Sequence, residues 1–182
     1  MTGIVLLEQL KAFTEEATKN LLLPVEQQRG DLEPPPPRVV GVYRMRLPEG
    51  KAADKKVPYV LHQLLTRKDT QPPGRQTTAL LTVRTIFCVY HQDEQEGGLA
   101  LLNLMERLRI ALLQQSVIGK QFVLDREKGL ESLIYPDNIA PYYVGEMMSV
   151  WKIPSENQLD AARMVQRLPP MDPKWGMTDK SS

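Results

Sequence analysis

Residues that carry chemistry are scarce in this chain of 182 residues. It has one cysteine, Cys88, so no intramolecular disulfide can form and no cysteine-based metal cluster can be built. Cys88 falls inside a β-rich run, where a buried, inert thiol is the preferred reading over a nucleophile. Only two histidines occur, His62 and His91, and neither has a ligand partner at helical or strand spacing. Cys88 and His91 stand close together at a strand end, but one such pair is too small a set to hold a metal. No apolar stretch reaches the roughly 18 residues needed to span a bilayer. The N-terminus, Met1 to Leu10, lacks a basic leading region and carries Glu8 inside its short apolar run, so it does not read as a secretory signal. Neither charge is in excess: 23 basic residues face 22 acidic ones, for a formal net charge of +1. That balance gives no global pull toward nucleic acid or an anionic membrane. Together these absences place the expected protein in a reducing cytoplasm, or in something assembled there, and no cofactor is expected.

What is present is ordinary in amount and uneven in place. An apolar content of 42% and a charged content of 25% suit a globular domain, and the length fits one domain with residues left over. The 15 prolines gather at Pro34–Pro37, Pro72-Pro73 and Pro169–Pro173, which reads as arms and linkers around a core. The expected plan is a single α+β domain over residues 1–154, with a proline-rich arm at 25–37 and a C-terminal extension at 155–182.

The spacing of Leu6, Leu10, Phe13, Ala17 and Leu21 predicts a helix from Thr2 to about Leu23, capped by Thr2 and stopped by Pro24. Strands are expected at Arg38–Leu47, Val57–Arg67 and Leu80–Tyr90, the last two joined through the loop 68–76 as an antiparallel pair. The third strand stops at an acidic turn, His91–Gly98, which feeds a helix from about Gly98 to Gln115. There Leu101, Leu104, Met105, Leu108 and Leu112 form one apolar stripe, while Leu99, Leu102, Ile110 and Leu113 lie outside it. Such a helix is either deeply buried or packs against a second body. Short strands at Gln121–Asp125 and Leu130–Tyr135 flank a turn, Tyr142–Ile153 is the last strand, and a short helix is expected at Asn157–Leu168. The fold class is α+β: a mixed, mostly antiparallel sheet of four to six strands, flanked by an N-terminal helix and a long central helix, with extended arms.

Tests for chemistry favour plain alternatives. Gly119-Lys120 lacks the upstream glycine and following hydroxyl of a phosphate loop. Gly97-Gly98 before a helix could cradle an anion, but Asp93, Glu94 and Glu96 crowd the same turn and repel phosphate. Their expected role is to complement the helix dipole in a solvated loop. As acid/base catalysts they have no cleft partner. Arg29-Gly30-Asp31 matches an integrin-binding tripeptide, and chance is the preferred reading without a secretion signal. The segment Arg38 to Lys56 has a local basic excess that includes Arg44 and Arg46. It could contact phosphate, or it could meet an acidic turn such as Asp93–Glu96 on a neighbouring subunit. The lack of interleaved aromatics favours the second. No enzymatic activity is expected.

Taken in order, the strand ending at Leu47-Pro48, the run Val57-Pro58-Tyr59-Val60, the strand–acidic turn–helix unit, Gly119–Leu124 and Pro141–Pro154 form a series. Over roughly Arg38 to Pro154 that series resembles the tail-terminator (tail-completion) proteins of long-tailed bacteriophages, relatives in fold of the lambda-type minor tail protein U. In that family an acidic turn with glycine precedes a helix patterned like Leu101–Arg109. The family's closing Pro-Tyr-Tyr-x-Gly strand with an aliphatic-Trp pair matches Pro141 to Trp151. The resemblance implies a virion structural protein, assembled in the host cytoplasm, whose copies close into a ring, typically of six. Such a ring caps the head-proximal end of the tail tube, halts its polymerisation and joins the tail to the neck. Its implied partners are further copies of itself, the tail tube protein and a connector or stopper, with genomic DNA passing through. Candidate subunit-interface residues are Arg44, Arg46, Asp93, Glu94, Glu96, Leu99, Leu102 and Leu113. The Pro34–Pro37 insertion and the long tail after Pro154 depart from the compact members. The competing expectations are another connector or stopper of the neck, and a nucleic-acid-binding module built on the Arg38–Lys56 segment.

Overall fold

The computed structural model of the chain describes residues 3–27, 33–48, 56–70, 78–138 and 140–153. Helix α1 spans Gly3–Thr18 and buries Leu6, Leu7, Leu10, Thr14 and Thr18. It stops at Thr18 rather than near Leu23. The Thr18 hydroxyl donates back to the Thr14 carbonyl (2.8 Å), and the Leu21 N–H closes a turn on the Thr18 carbonyl (2.9 Å). Leu21, Leu22 and Leu23 then alternate buried, exposed, buried, the period of a strand. Leu22–Leu23 is β1, paired antiparallel with β2, Arg38–Val39. A leucine triplet fits a helical stripe and an alternating strand equally well, so its sequence does not separate the two.

The expected strand Arg38–Leu47 is split. After β2, residues Gly41–Arg44 form β3, which lies parallel to β4, Tyr59–Thr70. Met45 ends β3 early by adopting a left-handed φ of 59°, and its N–H donates to the His62 carbonyl (2.7 Å). β4 pairs antiparallel with β5, Thr78–Tyr90, as expected, with a bulge between Leu64 and Thr66. β5 in turn pairs with β9, Tyr142–Ile153, from Ala79 opposite Ile153 to Tyr90 opposite Tyr142 without a break.

Between these two long strands come α2 (Glu94–Gln114), β6 (Val117–Ile118), β7 (Phe122–Leu124) and β8 (Leu130–Ile134). β7 and β8 do not pair with each other across the turn that separates them. Both run antiparallel to β9, end to end along the edge that β5 leaves open. The main sheet has the order β3-β4-β5-β9-β7-β6 with β8 beside β9, seven strands in all. The α+β class and the mixed, mostly antiparallel sheet are as expected. The strand number exceeds the expected four to six because a two-residue strand such as β6 is too short to show as a pattern.

Both helices lie on one face of the sheet, α1 against β3 and β4, α2 against β5 and β9, and the helices touch each other. The core between the layers is filled by Leu6, Leu10, Leu81, Phe87, Leu104, Leu108, Met147 and Trp151. Burying side chains of this size supplies about 1.5–3 kcal/mol each. The Trp151 indole N–H is satisfied by the Ser149 hydroxyl (3.0 Å). On the opposite face a small cluster of Val57, Cys88 and Tyr90, with Tyr59, Tyr142 and Val144 against it, fills one end. Beyond that cluster Leu80, Arg84, Ile86, Met148 and Val150 stand half-exposed, because β9 alternates strictly between buried and half-buried positions. The expected Thr2 cap, the Arg29-Gly30-Asp31 tripeptide, the helix at 157–168 and the extension at 155–182 lie outside the described residues.

Candidate interaction surface

The acidic segment is the start of α2 and not a loop before it. Asp93 is the N-cap: its Oδ1 accepts from the N–H groups of Gln95 and Glu96, both at 2.9 Å. The Glu96 N–H, with that of Gln95, holds the Asp93 carboxyl below its ordinary range. Glu94 and Glu96 occupy the first helical turn, exposed, where negative charge suits the helix dipole. The expected dipole role stands, while the expected helix start at Gly98 shifts to Glu94. Two glycines inside a helix are unusual, and the sheet below explains the first. A Cβ on Gly97 would lie 2.1 Å from Tyr143 Cε2, whereas one on Gly98 would meet nothing. Gly97 therefore permits the close approach of α2 to β9. In the sequence the pair looks like turn punctuation, and only the position of Tyr143 reveals the packing role.

Among the described residues every buried side-chain nitrogen and oxygen has a hydrogen-bond partner. His62 on β4 is fully buried, its Nε2 hydrogen-bonded with the Thr14 hydroxyl and its Nδ1 with the Thr85 hydroxyl, both at 2.9 Å. Burial alone lowers its pKa to about 4, so it is neutral and ties α1 to the sheet. Sequence reasoning identified no role for His62, since threonines so distant along the chain give no local signal. Cys88 is buried as expected, and burial pushes its thiol up to about 11, against the opposing hydrogen bond with Tyr59. Tyr59 is likewise raised to about 12 by burial. Among the described residues no three metal-ligating side chains gather.

On the open sheet face Arg84, Tyr135 and Glu146 form a closed triangle that the sequence did not reveal. Arg84 Nε donates to Glu146 Oε2 (2.5 Å), Arg84 Nη2 to the Tyr135 hydroxyl (2.9 Å), and that hydroxyl to the same carboxylate oxygen (2.8 Å). The Tyr135 hydroxyl, with Arg84 behind it, holds the Glu146 carboxyl below its usual range. Every member is committed to another, so the triangle fixes β8 against β9 and leaves no free base.

The expected basic surface is largely tied down within the chain. Arg44 pairs with Glu8 of α1, Arg38 donates to the Val57 carbonyl (2.8 Å) and Lys56 to the Pro48 carbonyl (2.5 Å). Arg46 is exposed and makes no ion pair among the described residues. Arg44 and Arg46 are not brought to Asp93, Glu94 or Glu96 within the chain. Leu99, Leu102 and Leu113 are a different case. With Ile110 they are 59%, 42%, 36% and 45% exposed on the outer side of α2, while the stripe Leu101–Leu112 is buried as expected. The chain thus presents apolar surface from both of its layers, the outer side of α2 and the open sheet face. No helix among the described residues is long and apolar enough to cross a membrane. No protein-family model matches the chain, and no curated protein matches it closely enough to count as a relative.

Proposed function

We propose that the protein is a virion structural subunit, a tail terminator. Its copies close into a ring, of six by the family's habit, at the head-proximal end of a bacteriophage tail tube. The ring stops tube polymerisation and offers its other face to a connector or stopper of the neck, with genomic DNA passing through the opening.

The observation that carries this reading is the one-sided sheet. Seven strands with helices on one face leave Ile86, Met148 and Val150 half-exposed on the other, beside an edge where Leu133 and Ile134 are 49% and 40% exposed. A closed ring needs two different patches on each subunit that fit one another, and an open sheet face with a free apolar edge strand supplies such material. The motif series from Val57 to Trp151 supports the same reading, and its parts fall on β4, β5, α2, β7 and β9. The nucleic-acid reading is weakened by Arg44, whose charge is already paired with Glu8.

Negative-stain images of the purified protein, alone and mixed with tail-tube subunits, test the proposal. Rings that cap tubes and limit their length are expected, and a Met148→Glu variant is expected to fold without forming them. A strict monomer that leaves tube length unchanged would count decisively against the reading.

A further inference from the structure

The outer side of α2 has an order of its own. Leu99, Leu102, Glu106, Arg109 and Leu113 recur at alternating spacings of three and four, the seam of a heptad, with Ile110 beside it. Single exposed leucines need no explanation, but a seam in register does. At its middle Arg109 grips the Glu106 carboxylate as a fork, Nε to Oε1 at 2.9 Å and Nη2 to Oε2 at 2.6 Å. From Leu102 to Leu113 the seam therefore reads apolar, negative, positive, apolar, with Leu99 one position beyond it.

That order fits itself when turned end for end. An antiparallel copy places Leu102 against the partner's Leu113 and Leu113 against the partner's Leu102. It also places Glu106 against the partner's Arg109 and Arg109 against the partner's Glu106. A parallel copy would set like charge against like. We propose that the outer face of α2 is a self-complementary docking surface, and that its occupant is the antiparallel α2 of a second copy of this chain. At its centre each Glu106–Arg109 fork meets the partner's fork in the opposite sense, so the four charges alternate in sign, and two leucine layers close its ends. The contact is independent of the ring reading. A ring joins two different patches head to tail, whereas here one patch meets itself across a two-fold axis. It therefore pairs single subunits or pairs whole rings. Four partly exposed aliphatic side chains per copy are a smaller patch than permanent dimers bury, so the association is reversible and concentration-dependent.

The test is sedimentation velocity of the full chain over a wide concentration range, with Glu106→Arg and Arg109→Glu as the variants. Each variant alone carries a single sign of charge at the seam's centre. Each is expected to weaken pairing at least about tenfold and to halve the particle mass at concentrations where the unaltered protein is paired. An equimolar mixture restores opposite charges across the axis, and the doubled mass is expected to return. Because the readout is a factor of two, it is the same whether the unpaired particle is a subunit or a ring. Should either charge variant lose its native circular dichroism, Leu102→Gln reads the same contact. An unaltered protein with the mass of its variants at every concentration overturns the proposal. So does a variant that keeps the paired mass, or a mixture of folded variants that stays unpaired.

Discussion

Acid should loosen this fold through one residue. The His62 ring lies between the Thr14 and Thr85 hydroxyls with no exposure, and burial lowers its pKa from 6.5 to about 4. The unfolded chain therefore takes up a proton first as pH falls. The stabilisation is fully present above about pH 6.5 and lost progressively toward pH 4. At about 1.4 kcal/mol per pKa unit the whole shift corresponds to about 3 kcal/mol, a large share of a typical domain's stability. Glu146 and Asp93 have lowered pKa values, so their contributions vanish only as pH falls below the ordinary carboxylate range. The interval from pH 6.5 to 5 thus isolates His62. Urea unfolding followed by tryptophan fluorescence should show a loss of about 2 kcal/mol across that interval. His62→Gln can hydrogen-bond both threonines but cannot titrate, and its profile should be nearly flat. Parallel profiles for the two proteins, or a His62 ring that titrates near 6.5 by NMR, would refute the reasoning.

Other expectations follow from single contacts. Gly97→Ala drives a Cβ into the Tyr143 ring and should cost about 1–3 kcal/mol, whereas Gly98→Ala meets nothing and should gain about 0.5–1 kcal/mol by lowering backbone entropy in the unfolded chain. Thermal melting that ranks the two the other way would contradict the packing of α2 on β9. Asp93→Ala removes the acceptor for the Gln95 and Glu96 N–H groups and should lower stability by about 1 kcal/mol, read as a shifted urea midpoint. Cys88, buried with its thiol pushed up to about 11, should resist alkylation at pH 8 in the native state and react promptly in denaturant. Fast native alkylation would show that the Tyr59 side of the sheet opens.

The legible parts of the fold are those in which one periodicity runs long. The buried stripe of α2, the alternation of β9 and the β4–β5 pair were readable because many residues repeat the same message. Short elements failed for the same reason. Leu21-Leu22-Leu23 fits either period, Met45 reverses the backbone where a strand pattern continues, and β6 is too brief to show. The sequence assigns the acidic residues to the helix dipole yet places the helix start after them, since Gly97-Gly98 resembles a turn until Tyr143 is in view. Leu99, Leu102 and Leu113 stand outside the apolar stripe in the sequence and lie exposed. The His62–threonine bridge and the Arg84–Tyr135–Glu146 triangle were invisible, because each joins residues that meet only through sheet pairing and layer packing.

The unbroken pairing of β5 with β9 also bears on how the chain reaches this shape. Each of its register pairs, from Tyr90 with Tyr142 outward to Ala79 with Ile153, closes a loop that contains all of α2. Closing a long loop is entropically costly and slows folding, so formation of the central strand pair is expected to set the rate. A helix of 21 residues inside that loop replaces floppy chain with a rigid span of about 30 Å. Stopped-flow refolding should therefore be faster for Gly98→Ala, which strengthens the helix, and an unchanged rate would place α2 after the rate-limiting step. Before its outer face meets anything else, α2 acts as a spacer that brings the chain's two central strands within reach of each other.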